Sequence, residues 1–376
     1  MKRMEKYLGI VLSLLLALSL PMACSTIDDD RSDCVDPVPP GPEPPGPEPP
    51  GPEPPGPEPP QPEPEYEMDY ELQLVTNMVT ELQTELTTQT DINVAQALRT
   101  YLSTIFTDFA HDVDLSFYDT QGDSIRLQHD QHVMDANQAS YTLNLPKRQY
   151  MHLAAANIVD NPIVALANDE FCHQSKLLQL ANDTITSHTT GLFTARLPME
   201  ILEGVDQSFD VRLYMANCAT TLVVDTIGSG LKDMKVFTTG FATGFNIADS
   251  TYIFGAKSPI IRTSPVTTHE AGRMTYCSVN FPSPEAPITR TIIETEEPFI
   301  SVEAADALWE LHIYVTTASG SVTENILYVK SPLRAGQLKV IKAKAFTNGS
   351  LESEDKSVAV SVRLDWSEGG GHDIEL

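Results

Sequence analysis

The segment Val113-Asp114-Leu115-Ser116-Phe117-Tyr118-Asp119-Thr120-Gln121-Gly122 decides the class of fold. Its apolar side chains recur at every second position, which is the period of a β-strand. The alternation resumes after the glycine, at Ile125 and Leu127. The segment therefore predicts a β-hairpin, and we expect Gly122 to adopt the positive φ that many hairpin turns require.

The same alternation recurs along most of the chain and indicates further strands. Tyr150 to Val159 has the composition of a buried strand, and Ser319-Gly320 marks a turn. Strands spaced about ten residues apart, with turn residues between them, are typical of β-sandwiches. We therefore expect a fold dominated by β-strands. The remaining alternating segments are Met68 to Leu74, Tyr141 to Leu145, Phe209 to Met215, Trp309 to Val315, Ile326 to Lys330 and Val358 to Trp366.

One segment has the period of a helix instead. After Asp91, which can act as an N-cap, apolar residues recur at spacings of three and four and so share one helical face. We expect a single amphipathic helix between the first two strands. The residues on its apolar face are Val94, Ala97, Leu98, Tyr101, Leu102 and Ile105.

Residues 37–65 form a proline-rich spacer before the globular part of the chain. Gly-Pro-Glu-Pro-Pro occurs four times in tandem over residues 41–60. Because proline fixes φ and lacks a backbone donor, we expect an extended polyproline II segment without a core. The remainder is long enough for two domains. We place the boundary near Gly204, which gives β-sandwich domains over 66–204 and 205–376.

The N-terminus has the layout of an export signal. A basic region with Lys2, Arg3 and Lys6 precedes an apolar run from Leu8 to Leu20. That run is too short to span a bilayer comfortably as a permanent helix, since about 20 apolar residues are needed. We therefore expect residues 1–23 to be removed as a signal peptide.

Cys24 is the candidate lipidation site. Leu20-Pro21-Met22-Ala23-Cys24 resembles a lipobox, in which the cysteine receives a diacylglyceryl thioether, although Pro21 departs from the usual pattern. An ordinary signal-peptidase cut is the alternative. Acyl chains would hold the mature protein on a membrane, because each buried methylene contributes about 0.8 kcal/mol.

Residues 24–36 form an acidic tether behind the lipidated cysteine. Asp28, Asp29 and Asp30 resemble the signals that direct lipoproteins to the outer face of the outer membrane in some Gram-negative anaerobes. A solvated acidic linker is the alternative interpretation. We expect the protein to face the exterior.

The charge balance excludes some partners. The 376 residues include 52 acidic and 24 basic side chains, giving a net charge of −28. No stripe of lysine or arginine is long enough to follow a phosphate backbone, so nucleic acid is not expected as a partner. The acidity is typical of a solvated surface protein.

The cysteines and histidines do not form a recognisable metal site. Cys34, Cys172, Cys218 and Cys277 can form one or two disulfides in any of three pairings, or remain free thiols. His129 and His132 are three residues apart in a strand, so they should point to opposite faces. We expect these two, and His111 beside Asp112 and Asp114, to be ordinary surface histidines.

No motif for catalysis is visible in the sequence. Gly-x-Ser-x-Gly, a Walker loop and a calcium loop are all missing from the chain. Paired carboxylates such as Glu296-Glu297 are uninformative in so acidic a protein. We therefore expect no enzyme activity, no cofactor and no metal.

Several segments resemble the FimB-like fimbrial anchor family. The mature N-terminus, in which Cys24 is followed by an acidic run and Cys34, resembles that of the family. Val113 to Asp119 with Gly122 is similar to its strand that ends in an aromatic residue, an aspartate and a turn glycine. Leu145 to Asn157 and Val360 to Trp366 resemble two further strand segments of the family. The GPEPP repeats and the long segment from Thr76 to Phe109 depart from it.

The resemblance implies two tandem transthyretin-like β-sandwich domains and no catalysis. It also implies a role at the base of a fimbrium, where the protein binds fimbrial subunits and fastens the polymer to the outer membrane. Related fimbriae join their subunits by strand exchange. The rival hypothesis is a stalked surface lipoprotein that binds glycan or a host protein. Trp309 and Trp366, both on the apolar side of strands, offer little for a glycan platform.

Overall fold

The computed structural model describes residues 62–76, 92–122, 124–134, 140–180, 184–268, 270–288, 291–292, 306–355, 358–367 and 370–374. All of them belong to one compact unit, Pro62–Leu376. The fold is dominated by β-strands, as expected. The elements of the first half are β1 (Glu65–Val75), α1 (Ile92–Ile105), β2 (Asp112–Asp119), β3 (Arg126–Met134), β4 (Ser140–Pro146), β5 (Gln149–Ala156), β6 (Val164–Ala167), a short 3-10 helix (Cys172–Gln174), β7 (Lys176–Gln179), β8 (Thr184–Thr186), β9 (Phe193–Glu200) and β10 (Ser208–Met215).

The second half contains strands throughout the described residues. They are β11 (Cys218–Asp225), β12 (Asp233–Thr239), β13 (Gly244–Asn246), β14 (Thr251–Ile253), β15 (Lys257–Ser258), β16 (Ile260–Arg262), β17 (Ser264–Pro265), β18 (Arg273–Asn280), β19 (Thr291–Ile292), β20 (Trp309–Thr316), β21 (Val322–Val329), β22 (Leu338–Ala345), β23 (Leu351–Ser353), β24 (Val358–Ser367) and β25 (Gly370–Ile374).

The first sandwich is made from one seven-stranded sheet with the order β3-β2-β5-β9-β10-β1-β4. β9 and β10 pair at one end, where Thr194 and Phe193 lie opposite Tyr214 and Met215. From there the sheet divides into two leaves, β3-β2-β5-β9 and β10-β1-β4. The inward-facing side chains of both leaves share one apolar core, so the sheet folds over on itself.

Helix α1 contributes its apolar face to the same core. Val94, Leu98, Leu102 and Ile105 are buried at spacings of four, four and three residues. This pattern confirms the helix predicted from the sequence. The expected N-cap, Asp91, lies outside the described residues.

The second sandwich contains two larger sheets. A five-stranded sheet, β17-β18-β11-β22-β23, faces a seven-stranded sheet, β25-β24-β21-β20-β12-β16-β8. β11 is buried on both sides: Leu222 and Val224 pack into the core of the second sandwich, and Ala219 and Val223 pack into the core of the first. The five-stranded sheet is therefore a layer shared by the two cores. Smaller sheets are β14-β13-β7-β6 and β15-β19.

The hairpin predicted at Val113 to Leu127 is confirmed, because β2 and β3 pair in antiparallel register. The expected conformation of Gly122 is wrong, since its φ lies outside the left-handed region. The connection between the strands, from Thr120 to Ile125, is longer than the two-residue loops in which a glycine takes a positive φ. Gly320 does have a positive φ, of 91°, in the predicted Ser319-Gly320 turn.

The predicted domain boundary falls in a loop of the first sandwich. Gly204 has a φ of 67° and lies between β9 and β10. The boundary and the two domains, 66–204 and 205–376, stay predictions. The tandem transthyretin-like arrangement does as well.

Candidate anchoring site

The strand that follows the proline-rich spacer is held along its whole length. β1 pairs with β4 in antiparallel register over Glu65–Glu71 and with β10 in parallel register over Asp69–Val75. Its alternation places Met68, Tyr70 and Leu72 in the core and leaves the intervening residues exposed. The first strand of the globular part is thus an interior strand of its leaf.

Arg148 fastens the end of the spacer to the first sandwich. Its Nη2 donates hydrogen bonds of 2.6 Å to both carboxylate oxygens of Glu63, and Nη1 donates to Asp119. The hydrogen bonds to Glu63 and Asp119 raise the pKa of Arg148 above its ordinary value. Arg148 immediately precedes β5, and Asp119 is the last residue of β2. The guanidinium therefore joins the spacer to the leaf β3-β2-β5-β9, which does not contain β1.

A buried hydrogen bond also joins β1 to the opposite leaf. The Tyr70 hydroxyl donates to Nε2 of His152 in β5 across 2.7 Å, and Nδ1 of His152 donates to the Ser116 carbonyl across 3.1 Å. An imidazole that accepts at Nε2 and donates at Nδ1 carries one proton and is neutral. Burial lowers the pKa of His152 to about 4 and raises that of Tyr70. β1 therefore contacts both leaves through specific polar groups as well as apolar packing.

The site residues predicted from the sequence are N-terminal to this attachment. Cys24, Asp28, Asp29 and Asp30 lie outside the described residues, so lipidation and export stay predictions. Sequence reasoning missed Arg148. Its partners, Glu63 and Asp119, are separated from it by 85 and 29 residues, and nothing in the sequence marks them as a set.

The two histidines of β3 point to opposite faces, as predicted. His129 lies against Phe117, with ring centroids 6.0 Å apart, whereas His132 lies 3.7 Å from both Asp112 and Asp114. Burial raises the pKa of Asp114, against the opposing effect of a hydrogen bond from Ser116. Across the described residues, no group of three His, Cys, Asp or Glu side chains is placed to hold a metal ion.

Three of the four remaining cysteines are buried free thiols. Cys172, Cys218 and Cys277 form no disulfide, and Cys34 lies outside the described residues. Burial raises the pKa of Cys277 to about 12, so this thiol stays protonated at neutral pH. No helix in the described part of the chain is long and apolar enough to cross a membrane.

Comparisons with known proteins give matches at the level of solved structures. No protein-family model and no curated protein matches the chain. The Mfa2 fimbrial anchor protein of Porphyromonas gingivalis is 11% identical, with a TM-score of 0.44, over 79% of this chain and 97% of its own. A candidate adhesin from Bacteroides thetaiotaomicron is 10% identical, with a TM-score of 0.46, over 80% and 97%.

A third similar structure is that of candidate polysaccharide-binding proteins from Bacteroides thetaiotaomicron. It is 9% identical, with a TM-score of 0.43, and the match covers 81% of this chain and 99% of that one. The similar structures therefore include the class of protein that the sequence resembles, a fimbrial anchor.

Proposed function

We propose that this protein is a lipid-anchored lipoprotein of the outer membrane that fastens a fimbrium to the cell surface. The observation that carries the proposal is the way the spacer enters the fold. Glu63 is bound by Arg148, and the following strand β1 is bonded to β4 and β10. A tether that only displays a module could end in a loop or at an exposed edge strand.

An interior strand suits a protein under tension. Every part of β1 is bonded to at least one neighbour, so the strand cannot leave the sandwich until a ladder of backbone hydrogen bonds breaks. Pulling on the spacer therefore loads the whole first sandwich. Lipid on Cys24 would hold the other end of the tether in the membrane. The proposal involves no catalysis.

The rival function, binding of a glycan by a stalked lipoprotein, is favoured by one feature. A groove of about 530 Å³ lies between α1 and the segment Pro265–Thr267, lined by uncharged groups that include Asn93, Gln96 and Tyr101. Such groups can bind hydroxyls. Trp309, in contrast, is fully buried and packs against Phe241, so it provides no platform for a sugar ring.

Affinity isolation from outer membranes of the native host tests the proposal. The tagged full chain is expected to recover a fimbrial subunit in molar excess, because one anchor would hold a polymer. A Cys24→Ser variant is the control, and it should release both the bait and the fimbriae into the medium. Recovery of the bait alone, or together with a glycan transporter, would favour the rival function.

A further inference from the structure

The chain crosses between the two sandwiches after β5, after β8 and after β10. β1 to β5 belong to the first sandwich, as do β9 and β10. Between them, β8 pairs with β16 in the seven-stranded sheet of the second sandwich, and β7 pairs with β13, which follows β12 in the chain. The described elements of neither sandwich therefore form one continuous stretch of sequence.

Each sandwich also supplies a strand to the core of the other. In β5 of the first sandwich, Ala154 and Ala156 pack into the first core, whereas Leu153 and Ala155 belong to the core of the second. β11 of the second sandwich divides its side chains between the two cores in the same way. Because successive strand residues point to opposite faces, each of these strands is a wall of both cores.

The segment that joins β8 to β9 is hydrogen-bonded to both sandwiches. On one side, the His188 N–H donates to the Val279 carbonyl in β18 across 2.9 Å, and the Val279 N–H donates to Ser187 Oγ across 2.8 Å. On the other side, the Gly191 N–H donates to the carbonyl of Ile105, the last residue of α1, across 2.8 Å. This crossing cannot bend without breaking buried hydrogen bonds.

Opening one sandwich alone would remove apolar groups from the core of the other. If the first sandwich unfolded, Leu153 and Ala155 would leave the second core. If the second unfolded, Cys277, Val279 and Leu338 would leave the first. Each half-open state therefore loses burial in both cores, and burial of apolar area is the main favourable contribution to folding. Domains usually move relative to one another unless the interface between them is large and apolar.

We propose that the two sandwiches are one cooperative unit, which opens and moves as a single body. A pair of separate tandem domains would instead open one at a time and bend at the connection between them. In a single body, a force on any part of the second sandwich reaches β1 and the spacer through the shared walls. This property of the fold goes beyond the proposed function and does not depend on which partner the protein binds.

Hydrogen exchange of the mature chain, with Leu115→Ala as the variant, tests the proposal. Leu115 is fully buried in the first core, whereas the inward side chains of β20 and β21 belong to the second. The slowest amides of a cooperative unit exchange only when the whole unit opens. We therefore expect Leu115→Ala to speed the slowest amides of β20 and β21 by the same factor as those of β2 and β5, at least about thirtyfold.

Two further variants serve as control and reciprocal test. Leu202→Ala removes the same side chain at a position that is 39% exposed, and it should change all these rates by less than about threefold. Ile313→Val is a change in the second core that is mild enough to leave the chain folded. We expect it to speed the slowest amides of both sandwiches by about fivefold.

An effect confined to one sandwich would overturn the proposal. This outcome is found if Leu115→Ala speeds β2 and β5 but leaves β20 and β21 within about threefold of the wild type, or if Ile313→Val does the reverse. If Leu115→Ala does not fold, Ile313→Val decides between the outcomes. The measurement involves no fimbrial subunit, so either result leaves the proposed function standing.

Discussion

Each sandwich contains a fully buried histidine, and the pKa values of the two are shifted in opposite directions. His152 lies in the core of the first sandwich, stacked on Phe117 with ring centroids 4.3 Å apart. His312, in β20, lies on the face of its sheet that points away from the core of the second sandwich, and its side chain is also 0% exposed. Burial is the same for both residues, so the difference comes from their partners.

The partners of His152 are neutral and those of His312 are acidic. Tyr70 and the Ser116 carbonyl hold the neutral form of His152. Burial by itself would lower the pKa of His312, but Glu310, 2.9 Å away, and Glu324, 3.7 Å away, outweigh it and raise the pKa above its ordinary value. Burial determines how much a charge costs, and the neighbouring groups determine whether it forms.

The largest effect is expected from removing His312, which lies beside two buried carboxyl groups. His312→Leu leaves Glu310 and Glu324 buried without the imidazolium between them, and should lower the free energy of unfolding by about 3 to 5 kcal/mol. Urea unfolding of the mature chain measures this. Glu352→Leu, at an exposed position, is the control and should change it by less than about 0.5 kcal/mol. A loss below about 1 kcal/mol for His312→Leu would mean that the site is neutral.

The pH dependence of stability should distinguish the two histidines. The pKa of His152 is lower in the folded state than its ordinary value of 6.5. The contribution of this side chain to the free energy of unfolding is therefore complete above pH 6.5 and is lost as the pH falls towards 4. The loss is on the order of 3 kcal/mol. Urea unfolding between pH 7 and pH 4 should show a smaller decrease for His152→Leu than for the wild type. Equal decreases in the free energy of unfolding for the two proteins would contradict a lowered pKa for His152.

His312 should show the opposite dependence. The pKa of His312 is raised in the folded state. The contribution of this side chain to the free energy of unfolding is therefore complete below pH 6.5 and is lost as the pH rises through the raised pKa. The difference in stability between the wild type and His312→Leu should therefore shrink above neutral pH. Urea unfolding of the wild type and His312→Leu from about pH 6 to about pH 9 measures this dependence, and a difference that stays constant over that range would contradict it.

The sequence predicts the elements of these sandwiches better than their polar contacts. Strands such as β10 alternate clearly because one face is buried and the other is solvated. The alternation in β2 suggests the same arrangement, yet the structure buries both faces. Asn168 covers the polar face and donates to Ser116 Oγ across 2.6 Å. Asn168 is 52 residues from Ser116 in the sequence, so the alternation within β2 cannot reveal that its polar face is buried.

The candidate site shows the same limit. The alternation of β1 is visible in the sequence, but its position between β4 and β10 depends on pairing with residues 140–146 and 208–214. The point at which β9 and β10 separate, past Thr194 and Tyr214, likewise depends on distant pairing. Pro198 is the one local signal, because a proline within an apparent strand indicates an edge.

A smaller effect is expected from breaking the neutral pair. Tyr70→Phe removes the hydroxyl bonded to His152 and leaves the buried Nε2 without that donor. We expect the free energy of unfolding to fall by about 1 to 3 kcal/mol. The double variant Tyr70→Phe/His152→Leu removes both partners and should lose less than the sum of the two single variants. Additive losses in urea unfolding would indicate that the two side chains act independently.

The smallest effect is expected at the spacer, where the ion pair is solvated. Arg148 and Glu63 are 23% and 55% exposed, so Arg148→Gln should lower the free energy of unfolding by only about 1 kcal/mol. The loss should diminish in about 1 M salt, which screens the pair. Lys147→Gln is the matched control, because Lys147 pairs with exposed Glu203 at 3.4 Å. A loss as large as that of His312→Leu would mean that Arg148 holds the two leaves together as well as the spacer, since a solvated pair alone cannot contribute so much.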